Sequence, residues 1–572
     1  MRYITTIICI FYLSFGCSND KYFDIDNICL NSIEKNDIIL HTNNQTKNIY
    51  FHSHTQAFIK ETADPYSITN IRRAYNELKK SGICKINTEI NPTHYVLKLY
   101  PRNMQELSEI ENINEINISY IPYNFSYLSI EQEELLDKDI IYDTIKDDSK
   151  YHIIYEFYDD KSNNRFFKRI SMPVIYATWP IDKELPTNYE YEVNYEIFNP
   201  YYKNKAQSKY INNFTRDDIK KIENKAIQLT LKDNNIERTA NNLPEISGEI
   251  FYKDYTLNRT PPLHNLKVKF QLGSVSWEIY TSSNGSFIIR DSIPKEATFN
   301  MIFFHPKWKI TKEESATPIT YNNGTIEELW GNTTHHRVAY KLSSRPVFEC
   351  HCAVNHFYYS NHGITKPTSS NGIRIEASKI TESDTNGYFL PSQTNMHIRI
   401  INKHRDNTAR VIATTLHEIG HYAMYMLYND RNAFINGSRL IKESWASYCG
   451  WYLCREYYKK YNYTEEDSLY SFTKHEKQSW EKTGDSTQCY SPLFIDLQDT
   501  YNQVYCIGKN NDVIENITPA EITNIAQTYK TWTTLKSGLY THLSTKYTIE
   551  EINSYIEPYD YWYNTNNVKL GK

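Results

Sequence analysis

Residues Thr408–Tyr428 read TARVIATTLHEIGHYAMYMLY. The spacing predicts one helix. Val411, Ile412, Thr415, Leu416, Ile419, Ala423 and Met426 give it a buried side, and between Val411 and Tyr428 only Glu418 is charged. So apolar a helix belongs in a core, and polar groups set into it need partners. Those groups are His417, Glu418 and His421. Residues four apart share a helix face, so both imidazoles can reach one metal ion. Glu418 projects to a neighbouring position, where it can accept a proton from a water held at such an ion.

Zinc used in hydrolysis takes three protein ligands and keeps one position open. The third ligand decides the type of site. A metzincin needs glycine at 424 and histidine at 427, but Met424 and Leu427 stand there. Asp430 would suit an aspzincin-like site, but its glycine-threonine context is missing. Glu443 is the strong candidate. It lies 22 residues after His421 in IKESWASY (441–448), at the start of a second long predicted helix. The loop between them, NDRNAFINGSR (429–439), has the Asn and Gly needed to bring that helix back antiparallel.

HEIGH followed by Glu443-Ser444-Trp445-Ala446 resembles the gluzincins, the thermolysin-like zinc metallopeptidases. The resemblance implies a mainly α (α+β) catalytic domain over about 345–572. It implies one Zn2+ per chain on His417, His421 and Glu443, with Glu418 as general base, and hydrolysis of peptide bonds in proteins or peptides. An oxyanion donor is also expected, and His475, Tyr490 and Tyr501 are the candidates. A ligand histidine usually gives its other N–H to a carboxylate or carbonyl. Asp496 and Asp499, on a predicted helix over Tyr490–Gln503, and Ser447, one turn after Glu443, are candidates for that supporting layer.

The rest of the chain is organised as several further regions, since 572 residues suffice for about three or four domains. Residues 1–16 read as a signal peptide, with an apolar run from Ile4 to Phe15 too short to span a membrane. Gly16-Cys17 resembles a bacterial lipobox, which implies lipidation at Cys17 and an exported outer-membrane or cell-surface lipoprotein. An ordinary cleaved secretory signal is the alternative. Residues 17–125 form a small α/β region, with a helix over 67–80 and a strand over 94–100. Residues 126–243 are β-rich with a helix over 215–231, opened by Thr215 and Asp218 as a capping box. Residues 244–312 alternate as short strands, with Asn284-Gly285 as a hairpin turn. Their pattern resembles the transthyretin-like, carboxypeptidase-regulatory-like β-sandwich. Met396–Ile401, just before the HEIGH helix, is expected to be an edge strand beside the cleft.

Net charge is −5 and no Lys/Arg run stands out, so nucleic acid is not an expected partner. A monomer is expected. Cys489 with Cys506, and Cys29 with Cys84, are candidate disulfides. Cys449 and Cys454 point in different directions on a helix. Cys350-His351-Cys352 reads as a strand-end pair or free thiols rather than a metal site. A reading of another class stays open: a surface adhesin whose peptidase-like domain is not catalytic, favoured by the roughly 330 residues that precede any catalytic motif.

Overall fold

The computed structural model describes residues 61–565, except 85–87, 114–115, 121–151, 160–163, 201, 203–213, 234–241, 244, 292, 313–314, 331–334, 341–344, 368–371, 379–386, 392–396, 402–406, 429–430, 464–490 and 501–512. It is multidomain, with several β-sheets and a helical C-terminal region. Among the described residues no helix is long and apolar enough to cross a membrane. The signal segment, Cys17 and the pairs Cys29–Cys84 and Cys489–Cys506 involve residues outside the described ones. Cys84 itself is a buried free thiol.

The N-terminal part begins with α1 (Ile68–Lys80), β1 (His94–Tyr100), α2 (Met104–Glu111) and β2 (Asn117–Tyr120). A hairpin follows, β3 (His152–Asp159) and β4 (Asn164–Ser171), then β5 (Ile175–Pro180), β6 (Glu190–Ile197) and α3 (Arg216–Asp233). Strands from both sides of the 125/126 division share one antiparallel sheet in the order β2-β5-β1-β6. Alternation marks a strand but not its partner, so the sequence separates what the sheet joins. Helices α1 and α3 pack together through Ile71, Ala74, Leu78, Ile222 and Ala226. The capping box of α3 forms with aspartate: Asp218 N–H donates to Thr215 Oγ1, and Thr215 N–H donates to Asp218 Oδ2, both at 3.1 Å.

Next come β7 (Asn242–Leu243), β8 (Ile246–Tyr252), β9 (Lys267–Leu272), β10 (Val275–Tyr280), β11 (Ser286–Ile289), β12 (Ile293–Pro294) and β13 (Thr298–Ile302). After β14 (Phe304–His305) and β15 (Trp308–Thr311) run β16 (Thr320–Thr325), α4 (Ile326–Leu329) and β17 (His335–Tyr340). Sheets β10-β9-β13-β16 and β11-β8-β17 face one another across Phe270, Phe287 and Phe299. Asn284-Gly285 does turn the chain, with Gly285 at φ 78°, but β10 and β11 belong to different sheets. The turn therefore crosses the sandwich and is not a hairpin. The Gly285 carbonyl accepts from Ile250 N–H of β8 at 3.0 Å, which ties the turn to the opposite sheet.

The C-terminal part holds α5 (Val347–Tyr359), β18 (Ile373–Ser378), β19 (Gly387–Leu390), β20 (His397–Ile401), α6 (Thr408–Tyr428), α7 (Arg431–Asn436) and α8 (Arg439–Lys459). It closes with α9 (Pro519–Thr528), α10 (Trp532–Leu543) and α11 (Ile549–Thr565). Its sheet runs β14-β15-β18-β20-β19, so β15 leaves the sandwich segment to pair in parallel with β18. Cys350-His351-Cys352 lies inside α5, not at a strand end, and both cysteines are buried free thiols. The strand before the HEIGH helix, β20, is internal; the edge belongs to the four-residue β19, which pairs antiparallel with β20. A parallel β18–β20 pair needs a crossover, and β19 is laid down within that connection, which no local pattern reveals. The stretch expected to be a plain loop before α8 contains the short helix α7, whose Phe434 is buried against Tyr425, with ring centroids 5.2 Å apart.

Candidate metal centre

α6 spans the residues its periodicity predicts, and the end away from α7 is clamped by the β-sandwich. Asn407 caps it, its Oδ1 accepting from Arg410 N–H at 3.0 Å. The segment after β8 adds further bonds. Thr256 Oγ1 accepts from Ala409 N–H at 2.9 Å, and Tyr255 N–H donates to Thr408 Oγ1 at 3.1 Å. Nearby, Asp254 Oδ2 accepts from Tyr458 Oη of α8 at 2.9 Å. One segment thus holds the start of α6 and the end of α8, as two antiparallel helices allow.

The crossing of the two helices is close because each contributes a glycine. A Cβ on Gly420 would lie 2.8 Å from Cys449 Cβ and 3.1 Å from Ala446 Cα. One on Gly450 would lie 2.9 Å from the Ala413 carbonyl oxygen and 3.3 Å from His417 Cβ. A side chain at either place would force the helices apart. The approach brings Glu443 of α8 to the histidines of α6.

His417, Glu418 and His421 form a cluster that could hold a metal ion: one donor atom from each lies within 4.8 Å of the others. Glu443 joins it from the facing helix. Its Oε2 is 3.4 Å from His417 Nε2 and 3.6 Å from His421 Nε2. These lengths are too great for good hydrogen bonds. Two donors at ~2.0–2.2 Å on one tetrahedral ion stand roughly 3.4 Å apart, so the three groups fit a shared ion. Their burial supports the same fit. Glu443 is 1% exposed, and among the described residues neither of its oxygens has a hydrogen-bond partner. Glu418 is 2% exposed and its Oε2 likewise has none. Burial alone would raise the Glu443 carboxyl, but the charge of His421 and the contacts with both imidazoles hold it well below the usual carboxylate range. The His417 side chain is 15% exposed against 2% for His421, so solvent reaches the pair from the His417 side.

The edge strand β19 runs beside this part of α6. Gly387 stands against Thr414, and Phe389 lies 6.4 Å from Tyr422 and 5.9 Å from Tyr425, ring centre to ring centre. Residues 414–425 include His417, Glu418 and His421.

Ser447 is buried on α8. Asp496 and Asp499 do not lie on a helix: residues 491–500 form turns, consistent with Pro492 near their start. Neither faces solvent. Asp496 is fully buried and accepts the Tyr559 hydroxyl of α11, and Asp499 is 7% exposed. The turn abuts α8, with Ser491 Oγ 2.7 Å from Ser444 Oγ. Tyr490, Tyr501, His475 and Asp430 lie outside the described residues. Sequence reasoning passed over Gly420 and Gly450. Glycine inside a helix costs about 1 kcal/mol relative to alanine, and that was the available signal. No family model, curated protein or solved structure matches the chain.

Proposed function

We propose that this chain is a zinc-dependent peptidase of the gluzincin type, with His417, His421 and Glu443 holding one zinc and Glu418 as general base. One observation carries the reading. A buried Glu443 carboxylate, without hydrogen-bond partners among the described residues, sits 3.4 and 3.6 Å from two imidazole nitrogens, a spacing suited to ligands of one ion. Imidazole and carboxylate donors in this number suit zinc and leave a position open. When bound, zinc lowers the pKa of a water and polarises a carbonyl.

The protein's own residues supply the rest. Glu418 takes the proton from the attacking water and passes it to the leaving amine. Its buried Oε2 has no hydrogen-bond partner among the described residues, which supports that role. β19 runs beside the cluster with β3 of the N-terminal hairpin packed near it, so an extended peptide reaches the cluster from the solvent-exposed His417 side. The β-sandwich, read as carboxypeptidase-regulatory-like, braces α6 through Tyr255 and Thr256. Cys17 lipidation would place the site outside the cell, facing extracellular proteins or peptides.

Hydrolysis of a casein-like substrate by the full chain tests this, with Glu418→Gln alongside. Turnover should fall by ~10²–10⁴ while zinc is retained. Undiminished turnover in the variant would remove Glu418 from the chemistry. Zinc binding with no hydrolysis of any peptide would favour the non-catalytic surface-binding reading.

A further inference from the structure

The distance from Glu443 to the two histidines depends on how α8 lies across α6. Gly420 and Gly450 set how closely the helices approach. Close packing alone does not stop one helix from sliding or turning against the other. A directional bond does. The Trp445 indole Nε1–H donates to the Gly420 carbonyl at 3.0 Å. Trp445 is two residues from Glu443, and Gly420 directly precedes His421. The bond therefore joins the two helical turns that carry the facing ligands.

Trp445 is itself held firmly. It is 1% exposed, with Phe494 edge-on at 6.1 Å and Tyr448 at 5.7 Å between ring centres. Phe494 belongs to the turn whose Ser491 meets Ser444. The indole is thus pinned from behind by the 491–500 turn and bonded in front to the backbone of the HEIGH segment. A phenyl ring at this place would keep most of the packing and lose the donor.

We propose that Trp445 is a positioning residue for the metal centre: its N–H bond to Gly420 holds Glu443 at the separation from His417 and His421 that one ion requires. The proposal rests on the zinc reading of the site. Trp532 of α10 supplies an internal control. It is also buried, and its indole donates to Asp560 Oδ1 at 2.8 Å, but α10 packs against α9 and α11 rather than carrying a ligand.

The test uses the full chain with Trp445→Phe and Trp532→Phe. Zinc affinity is measured by competition with a chromogenic chelator, and urea unfolding is followed on the metal-free proteins. Trp445→Phe should weaken zinc binding by ~10–100-fold, the range seen when groups that orient a ligand are removed. Its kcat at saturating zinc should fall with KM unchanged, and its metal-free stability should drop no more than that of Trp532→Phe. Should Trp445→Phe fail to fold, Trp445→Met offers a flexible side chain without the donor. Equal zinc affinity in Trp445→Phe and the unaltered chain would overturn the proposal, as would an equal loss in Trp532→Phe. Absence of zinc binding by the unaltered chain would instead overturn the reading of the site itself.

Discussion

Near its start α8 carries the buried carboxylate of Glu443, and near its end it presents Tyr458 to the buried carboxylate of Asp254. Both acids lie in the same large core, yet their surroundings differ. Asp254 is saturated by neutral donors: Tyr458 Oη at 2.9 Å, Leu257 N–H at 2.9 Å and Tyr252 Oη at 3.4 Å. Burial raises its pKa, and these hydrogen bonds only partly offset that. Among the described residues Glu443 lacks such donors, and it faces two imidazoles, which lower its pKa despite complete burial. A buried carboxylate ringed by hydroxyl and amide donors is a joint between elements. One left without them, opposite two histidines, is open to serve as a metal ligand, the role proposed for Glu443.

Removing each acid should separate the two roles. Glu443→Ala should weaken zinc binding by roughly 100-fold or more, at least the largest loss expected from an orienting group, and abolish turnover. Asp254→Ala should leave zinc affinity unchanged and cost roughly 3–5 kcal/mol of stability, because three donors lose their acceptor inside the core. Chelator competition and urea unfolding on both variants read the contrast. Loss of zinc affinity in folded Asp254→Ala would erase it.

Glu349 on α5 sharpens the comparison, being a third buried acid with neither arrangement. It is 3% exposed, its Oε2 has no hydrogen-bond partner among the described residues, and burial pushes its pKa up to about 7. The folded state therefore holds this proton more tightly than the unfolded chain does. Its contribution to stability is most favourable below the ordinary glutamate range and is lost as pH rises through about 7. Glu349→Gln should gain on the order of 3 kcal/mol relative to the unaltered chain between pH 4.5 and 8. Urea unfolding at the two ends of that range checks it. A constant difference between the proteins across that range would mean that Glu349 does not carry the effect.

The cluster of His417, Glu418 and His421 was legible in the sequence because it is local. His417 and His421 share a helix face by spacing alone, and the apolar residues around them predict the limits of α6. Glu443 was legible through its place at the start of the next long helix. What was not legible depends on contacts distant in sequence. The edge position of β19 follows from a crossover between β18 and β20, and the N-terminal sheet from pairing across a long insertion. The turns at 491–500 follow Pro492 and the packing of Phe494 on Trp445, where a helix over 490–503 was expected. The bond from Trp445 to Gly420 could not be read at all, since the sequence does not say which face of α8 meets α6.

Metal analysis of the purified full chain, with Glu418→Gln and His417→Ala beside it, tests the central claim most directly. The account predicts about one zinc per chain, retained in Glu418→Gln and lost in His417→Ala. A chain that takes up no zinc, or zinc that survives the loss of His417, would contradict it.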